Sequence, residues 1–179
     1  MKYISVLRGI NVSGKNKIKM VDLRAAFVKA GFENVVTYIQ SGNVIFDYVE
    51  TDTNKLASII EKSIGESFGY DIPVDVRTRD EYLKIYKGCP YEECEMEENG
   101  TKVLVTLLSE EASNDKKREL QSFAKHPERL SVKGNVVYLY CPNGYGRSKL
   151  TNTFIESKLE LIATTRNWKT IGKLVELSC

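Results

Sequence analysis

The stretch Val35-Val36-Thr37-Tyr38-Ile39-Gln40-Ser41-Gly42-Asn43-Val44-Ile45-Phe46 decides how this chain folds. Two β-branched and aromatic runs, residues 35–39 and 44–46, flank the polar turn Gln40-Ser41-Gly42-Asn43, which is the composition of a β-hairpin. On its N-terminal side, Met20, Leu23, Ala26, Phe27 and Ala30 recur at helical spacing. Gly31 can close that helix in a left-handed conformation, with Phe32 folding back on Phe27. Residues 3–7 alternate as a strand before it. On the C-terminal side, Thr53 is a cap for a helix carrying Leu56, Ile59, Ile60 and Ile64 on one face. Ile72, Val74 and Val76 then alternate as a closing strand. The resulting order, β-α-β-β-α-β, is that of a ferredoxin-like sandwich.

The second half repeats this plan. Residues 103–108 read as a strand and 115–125 as a helix with Leu120 and Phe123 inward. Residues 130–132 and 136–140 form a second hairpin, in which Gly134-Asn135-Val136 echoes Gly42-Asn43-Val44. A helix is expected over about 148–159, a short strand over 161–165, and a last helix over 168–177 with Trp168, Ile171, Leu174 and Val175 inward. The expected fold class is therefore α+β, with two ferredoxin-like halves related by internal duplication and a C-terminal helix. The expected divisions are residues 1–78, a joining region 79–100, and residues 101–179. The joining region holds a short helix near 82–86 and the acidic run Glu92-Glu93-Cys94-Glu95-Met96-Glu97-Glu98, read as a solvated linker.

Composition narrows the function classes. The chain has 179 residues, 42% of them hydrophobic and 28% charged, enough for a core and a polar surface. A formal charge of +2 gives no global basic field, so any anion site must arise from local clustering. No run reaches the roughly 18 apolar residues of a membrane span, and the first residues read as a strand rather than a signal peptide. A cytoplasmic location without a membrane partner is the expectation. The cysteines are Cys89, Cys94, Cys141 and Cys179. With no Cys-x-x-Cys pair and His126 the one histidine, no metal site is expected, and the thiols are expected to be reduced.

Gly, Asn, Arg and Lys concentrate in three segments that join strand-like to helix-like runs. Glycine-rich backbone at a helix N-terminus, with cations beside it, is the ordinary construction of an anion site. In the first, residues 7–17, Arg8, Asn11 and Lys15 are ligand-binding candidates. The segment matches neither the Walker A pattern nor Gly-x-Gly-x-x-Gly. In the second, residues 144–149, Ser148 is a candidate N-cap flanked by Arg147 and Lys149, and Tyr145 can stack or donate. Tyr145 and Lys149 share the Tyr-x-x-x-Lys spacing of short-chain dehydrogenases, but the nucleotide-binding glycine fingerprint is absent. In the third, residues 164–169, Arg166 and the candidate N-cap Asn167 precede a helix, and Trp168 is assigned to core. Gln40 and Asn43 in the hairpin turn add neutral hydrogen-bonding groups, with Tyr38 beside them.

No catalytic set stands out. His126 reads as a helix-end residue, and no Ser-His-Asp arrangement can be assembled. Asp22, Asp47 and Asp71 are too scattered for a carboxylate pair, and Cys141 is read as a buried, inert thiol.

Taken together, Leu7-Arg8-Gly9-Ile10-Asn11-Val12, Tyr38-Ile39-Gln40-Ser41-Gly42-Asn43-Val44, Gly144-Tyr145-Gly146-Arg147-Ser148-Lys149 and Ala163-Thr164-Thr165-Arg166-Asn167-Trp168 resemble the signature blocks of the bacterial domain of unknown function 1697 family. The resemblance covers nearly the whole chain. It implies a two-part α+β protein with ferredoxin-like elements, and it assigns no activity or cofactor. Ser13 stands where that family's first block has a second Gly.

Three functions compete. The first is binding of a phosphate-bearing ligand, a nucleotide or single-stranded nucleic acid, by Arg8, Lys15, Arg147, Lys149 and Arg166, with Asn11, Gln40, Asn43 and Asn167 as neutral partners. The second is an enzyme acting on a small anionic substrate, with Tyr38, Tyr145 or Lys149 moving the proton. The third is structural, with Arg8, Arg147 and Arg166 paired to acids between the halves and no ligand bound.

Overall fold

Tyr3, Ser5 and Leu7 alternate with Ile4 and Val6 along β1 (Lys2–Leu7), and all are buried, as a central strand requires. The computed structural model describes residues 1–95 and 100–179. After β1 come α1 (Met20–Lys29), β2 (Glu33–Tyr38), β3 (Asn43–Asp47), α2 (Thr53–Phe68), β4 (Val74–Thr78) and α3 (Arg79–Lys87). The four strands form an antiparallel-paired sheet in the order β2-β3-β1-β4, with Ile4 opposite Ile45 and Val36 opposite Ile45 on the other side. Leu23 and Phe27 from α1 and Leu56, Ile60 and Ile64 from α2 pack on Tyr3, Leu7, Val44 and Phe46. The stop of α1 is as expected. Gly31 has φ +92°, the Phe32 amide donates to the Phe27 carbonyl at 3.2 Å, and the two rings lie 5.5 Å apart. Burying each such ring is worth about 2–3 kcal/mol. The cap of α2 is Asp52 rather than Thr53. Its extended backbone leaves the carboxylate free to accept the Lys55 amide at 3.0 Å, which also places negative charge at the helix N-terminus.

The second half contains β5 (Val103–Leu108), α4 (Asn114–Ser122), β6 (Arg129–Lys133), β7 (Val136–Tyr140), α5 (Asn152–Leu159), β8 (Ala163–Asn167) and α6 (Trp168–Leu177). Its sheet order, β6-β7-β5-β8, is the first sheet's order element for element. The molecule is thus α+β with two ferredoxin-like halves and a C-terminal helix. Leu104, Leu108, Leu120, Val137, Leu139, Ile155 and Leu159 form the core of this half. The chain divides into two compact units, Met1–Lys84 with Leu174–Cys179, and Ile85–Lys173. Within the second unit, Trp168 is buried and stacks on Tyr86, with centroids 4.7 Å apart and planes 11° from parallel.

Four local expectations are corrected. The α4 helix stops at Ser122, so Phe123 sits at its C-cap, exposed, instead of facing the core. The α5 helix begins at Asn152, capped by Thr151, whose hydroxyl accepts the Phe154 amide at 3.2 Å. Ser148 instead accepts from the Leu150 amide at 3.0 Å in the preceding loop. The expected short strand over 161–165 runs instead as Ala163–Asn167, with Thr165 opposite Thr106 and Arg166 opposite Val105, because both Thr164 and Thr165 suit a pleated ladder. Cys89 and Cys94 are joined as a disulfide rather than reduced, since the 3-10 turn Glu92–Glu95 carries Cys94 back toward Cys89. The rest of the acidic run, Met96, Glu97 and Glu98, lies outside the described residues.

Candidate functional site

The connection between β1 and α1, residues 8–19, is built from its own polar side chains. The Asn11 amide nitrogen donates to the Ile18 and Gln40 carbonyls, each at 2.8 Å, and its oxygen accepts the Ile18 amide at 2.9 Å. Asn16 donates to the Gly9 carbonyl at 3.2 Å. Asn11, Ser13 and Asn16 all take left-handed backbone, with φ of 54°, 49° and 46°. Ser13 therefore adopts the positive φ that a Gly would take at lower strain. Asn43, fully buried, donates to the Tyr38 carbonyl at 2.9 Å and the Ser41 hydroxyl at 3.0 Å. Two of the expected neutral ligand groups thus hold the loop and hairpin in shape. Arg8 is half-buried, with its amide on the Pro73 carbonyl at 3.0 Å, while Lys15 and Gln40 are exposed. An open groove of about 540 Å³ lies here, with Gly14, Lys17, Lys19, Asp22, Gln40 and Phe68 on its walls.

A different arrangement occupies the second half. Residues 123–128, between α4 and β6, and residues 141–151, between β7 and α5, enclose a groove of about 540 Å³. Arg147 and Lys149 from the second loop line it, together with Lys125 and His126 from the first. Phe123 and Phe154 supply an aromatic wall, their rings edge to face at 5.2 Å and 86°. Asn143 adds an amide, and Glu128 is the one acid on the lining. The groove is therefore locally cationic in a chain with little net charge.

The other candidates of this half point elsewhere. Tyr145 packs its ring on the core, and its hydroxyl is buried next to Thr165 and Asn152. Burial pushes its ionisation above the ordinary phenol range, and Thr165 offsets only part of that. Arg166 is largely buried on β8 and donates to the Thr165 carbonyl at 2.9 Å. Asn167 is the cap it was expected to be, its side-chain oxygen accepting the Thr170 amide at 2.8 Å. Of the ten candidates, Arg147 and Lys149 are those that share the second-half groove, while Asn11 and Gln40 share the first-half groove. Ser148 follows a 3-10 turn and is not the N-cap of a helix, so the expected cradle of helix N–H groups between Arg147 and Lys149 is not formed there.

Sequence reasoning missed Phe123, Lys125, His126, Asn143 and Phe154. The available signal was the His126-Pro127 pair after α4, which marks an irregular connection rather than a helix continuation. Beneath the groove, burial pushes the Cys141 thiol up to about 11, and the Glu128 carboxylate adds to the effect while Ser148 opposes it. Such a thiol stays protonated and is not a nucleophile. Among the described residues, no group of three or more His, Cys, Asp or Glu side chains is placed to hold a metal ion. No described helix is long and apolar enough to cross a membrane.

At the corresponding end of the first half, where residues 30–32 and 48–52 connect the elements, the groove has acids on its lining instead of lysines and an arginine. Glu33 and Asp47 line the groove of about 470 Å³ there, with Tyr48 and Met1. The Asn34 amide, at 2.8 Å, and the Lys2 ammonium, at 3.2 Å, hold the Asp47 carboxyl below the usual range.

A two-part ferredoxin-like α+β protein whose second half has a basic, aromatic-walled groove is the class these features define. The chain belongs to the family described as Protein of unknown function (DUF1697), whose model matches residues 1–138. The matched region ends at β7, before the loop that carries Arg147 and Lys149. Among solved structures, the chain is similar to the conserved bacterial protein SP0830 from Streptococcus pneumoniae, at 21% identity and a TM-score of 0.76. The alignment covers 99% of this chain and 98% of that one, and shows a common fold. No curated protein sequence matches the chain.

Proposed function

We propose that this protein binds a phosphate-bearing ligand in the groove of its second half. The observation that carries this reading is that Lys125, Arg147 and Lys149 line one groove with Phe123 and Phe154. Three exposed cations against one acid favour an anion, and the planar guanidinium of Arg147 matches phosphate oxygens in bidentate fashion. Arg166 and Asn167 support the β8–α6 junction rather than the ligand. In the first half, the structural reading is favoured by the three hydrogen bonds of Asn11.

The test is calorimetric titration with pyrophosphate and with ribose 5-phosphate at low and moderate salt. Saturable binding that weakens as salt rises is expected. Arg147→Ala and Lys149→Ala are each expected to lower the affinity about tenfold, the size of a charge-assisted contact. Equal affinity in the wild type and both variants would remove the groove as the site.

A further inference from the structure

We infer that the ligand is a nucleoside phosphate whose base lies against the Phe123 and Phe154 rings, an inference that rests on the binding reading above. Phe123 was expected in the core, yet it is left 36% exposed at the C-cap of α4. The exposed part of the ring gives up hydrophobic stabilisation that a core position would have supplied. Here it is held edge to face with Phe154, and the Lys158 ammonium lies over one face of each ring, 4.6 Å from the Phe123 centroid and 5.9 Å from that of Phe154, so a base would meet the faces that Lys158 leaves. Lys158 is itself placed by Glu119, 3.6 Å away. Both rings line the same groove as the cations.

The pairing of an oriented aromatic wall with Arg and Lys separates two recognition tasks. The cations meet phosphate oxygens, and the rings meet a flat π-system, which every base presents whatever its sequence. Bare phosphate or a sugar phosphate uses the first and leaves the aromatic wall wet. The Asn143 amide on the lining is chemically suited to a base edge, having both a donor and an acceptor. The volume of about 540 Å³ is that of a small-molecule site. A polymer would need a basic track beyond this groove, which the oligothymidylate arm of the experiment tests. A mononucleotide is the occupant that fits.

The experiment compares AMP, GMP, CMP and UMP with ribose 5-phosphate and with a short oligothymidylate by calorimetry on the full chain. At least one mononucleotide is expected to bind about tenfold more tightly than ribose 5-phosphate, the gain of one stacked base. Phe123→Ala and Phe123→Leu are expected to erase that preference, bringing mononucleotide affinity down to that of ribose 5-phosphate measured on the same variant. The leucine variant keeps apolar bulk and removes the π face, so it reports on stacking if the alanine variant is unstable. Equal affinity for mononucleotides and ribose 5-phosphate would overturn the nucleoside inference and leave phosphate binding standing. An oligothymidylate that binds more tightly per phosphate than every mononucleotide would also overturn it, in favour of a polymer. If no phosphate compound binds at all, both readings fall.

Discussion

The two halves share a strand order and differ in which connections they lengthen. In the first half, the β1–α1 connection is the long one, residues 8–19, while residues 30–32 and 48–52 are tight turns beside Glu33 and Asp47. In the second half, the β5–α4 connection is only 109–113, and length has gone to 123–128 and 141–151, which bring Lys125, Arg147 and Lys149 together. A sheet register is expensive to alter, because a one-residue slip inverts every side chain. Loops are cheap to extend. Duplication therefore keeps the sheet and lets each copy elaborate a different end. The long loop of the first half spends its amides on itself, whereas the long loops of the second half leave their cations at a groove.

The sharpest way to break this comparison is at the equivalent hairpin glycines. A Cβ on Gly42, at φ +77°, would meet Ile10 Cδ1 at 2.5 Å and Leu7 Cβ at 3.0 Å. Gly134, at φ +57°, has nothing within 4 Å of that position. Gly42→Ala is expected to cost about 3 kcal/mol and Gly134→Ala about 1 kcal/mol, read from urea denaturation. Similar losses at both positions would mean that the first hairpin is no more tightly packed than the second. Next comes Asn11→Ala, expected to lose about 2 kcal/mol because three backbone partners are orphaned. Asn143→Ala, at an exposed loop position, should change the melting temperature hardly at all.

For ligand affinity, Arg147→Ala is expected to weaken phosphate binding about tenfold, and Lys17→Ala in the first-half groove less than about twofold. A larger effect from Lys17 would exchange the roles assigned to the halves. The last test is a pH dependence. The folded Cys141 thiol titrates at about 11 against an ordinary 9.0, so the unfolded chain releases its proton first. The stabilisation is whole below pH 9 and is lost as pH rises toward 11. Wild type should lose more stability than Cys141→Ala across that interval, in denaturant melts at matched salt.

Much of the architecture was legible because the apolar periods are clean. The hairpin at 35–46, the Gly31 stop with its Phe27–Phe32 contact, and the echo at Gly134 all follow from local chemistry. The groove was only half legible. Arg147 and Lys149 drew notice as cations in a glycine-rich loop, but their partners come from residues 123–128, close in space and remote in sequence. Phe123 misled because helical spacing assigns it inward, while the helix ends one residue earlier and turns it out. Asn11 and Asn43 misled in the opposite sense. Their amides can serve a ligand or a loop, and only coordinates show which acceptors are within reach.

The Tyr86–Trp168 stack has an optical consequence. Trp168 is the single tryptophan, and both rings lie in the Ile85–Lys173 unit. At 4.7 Å, light absorbed by Tyr86 passes to the indole before it can be emitted. Red-edge fluorescence of the whole chain therefore comes from a residue of the second unit. Far-UV circular dichroism, in contrast, reports on the helices and strands of both halves together. Recording the two signals together during one melt would show whether the copies lose their structure as one cooperative unit or in succession.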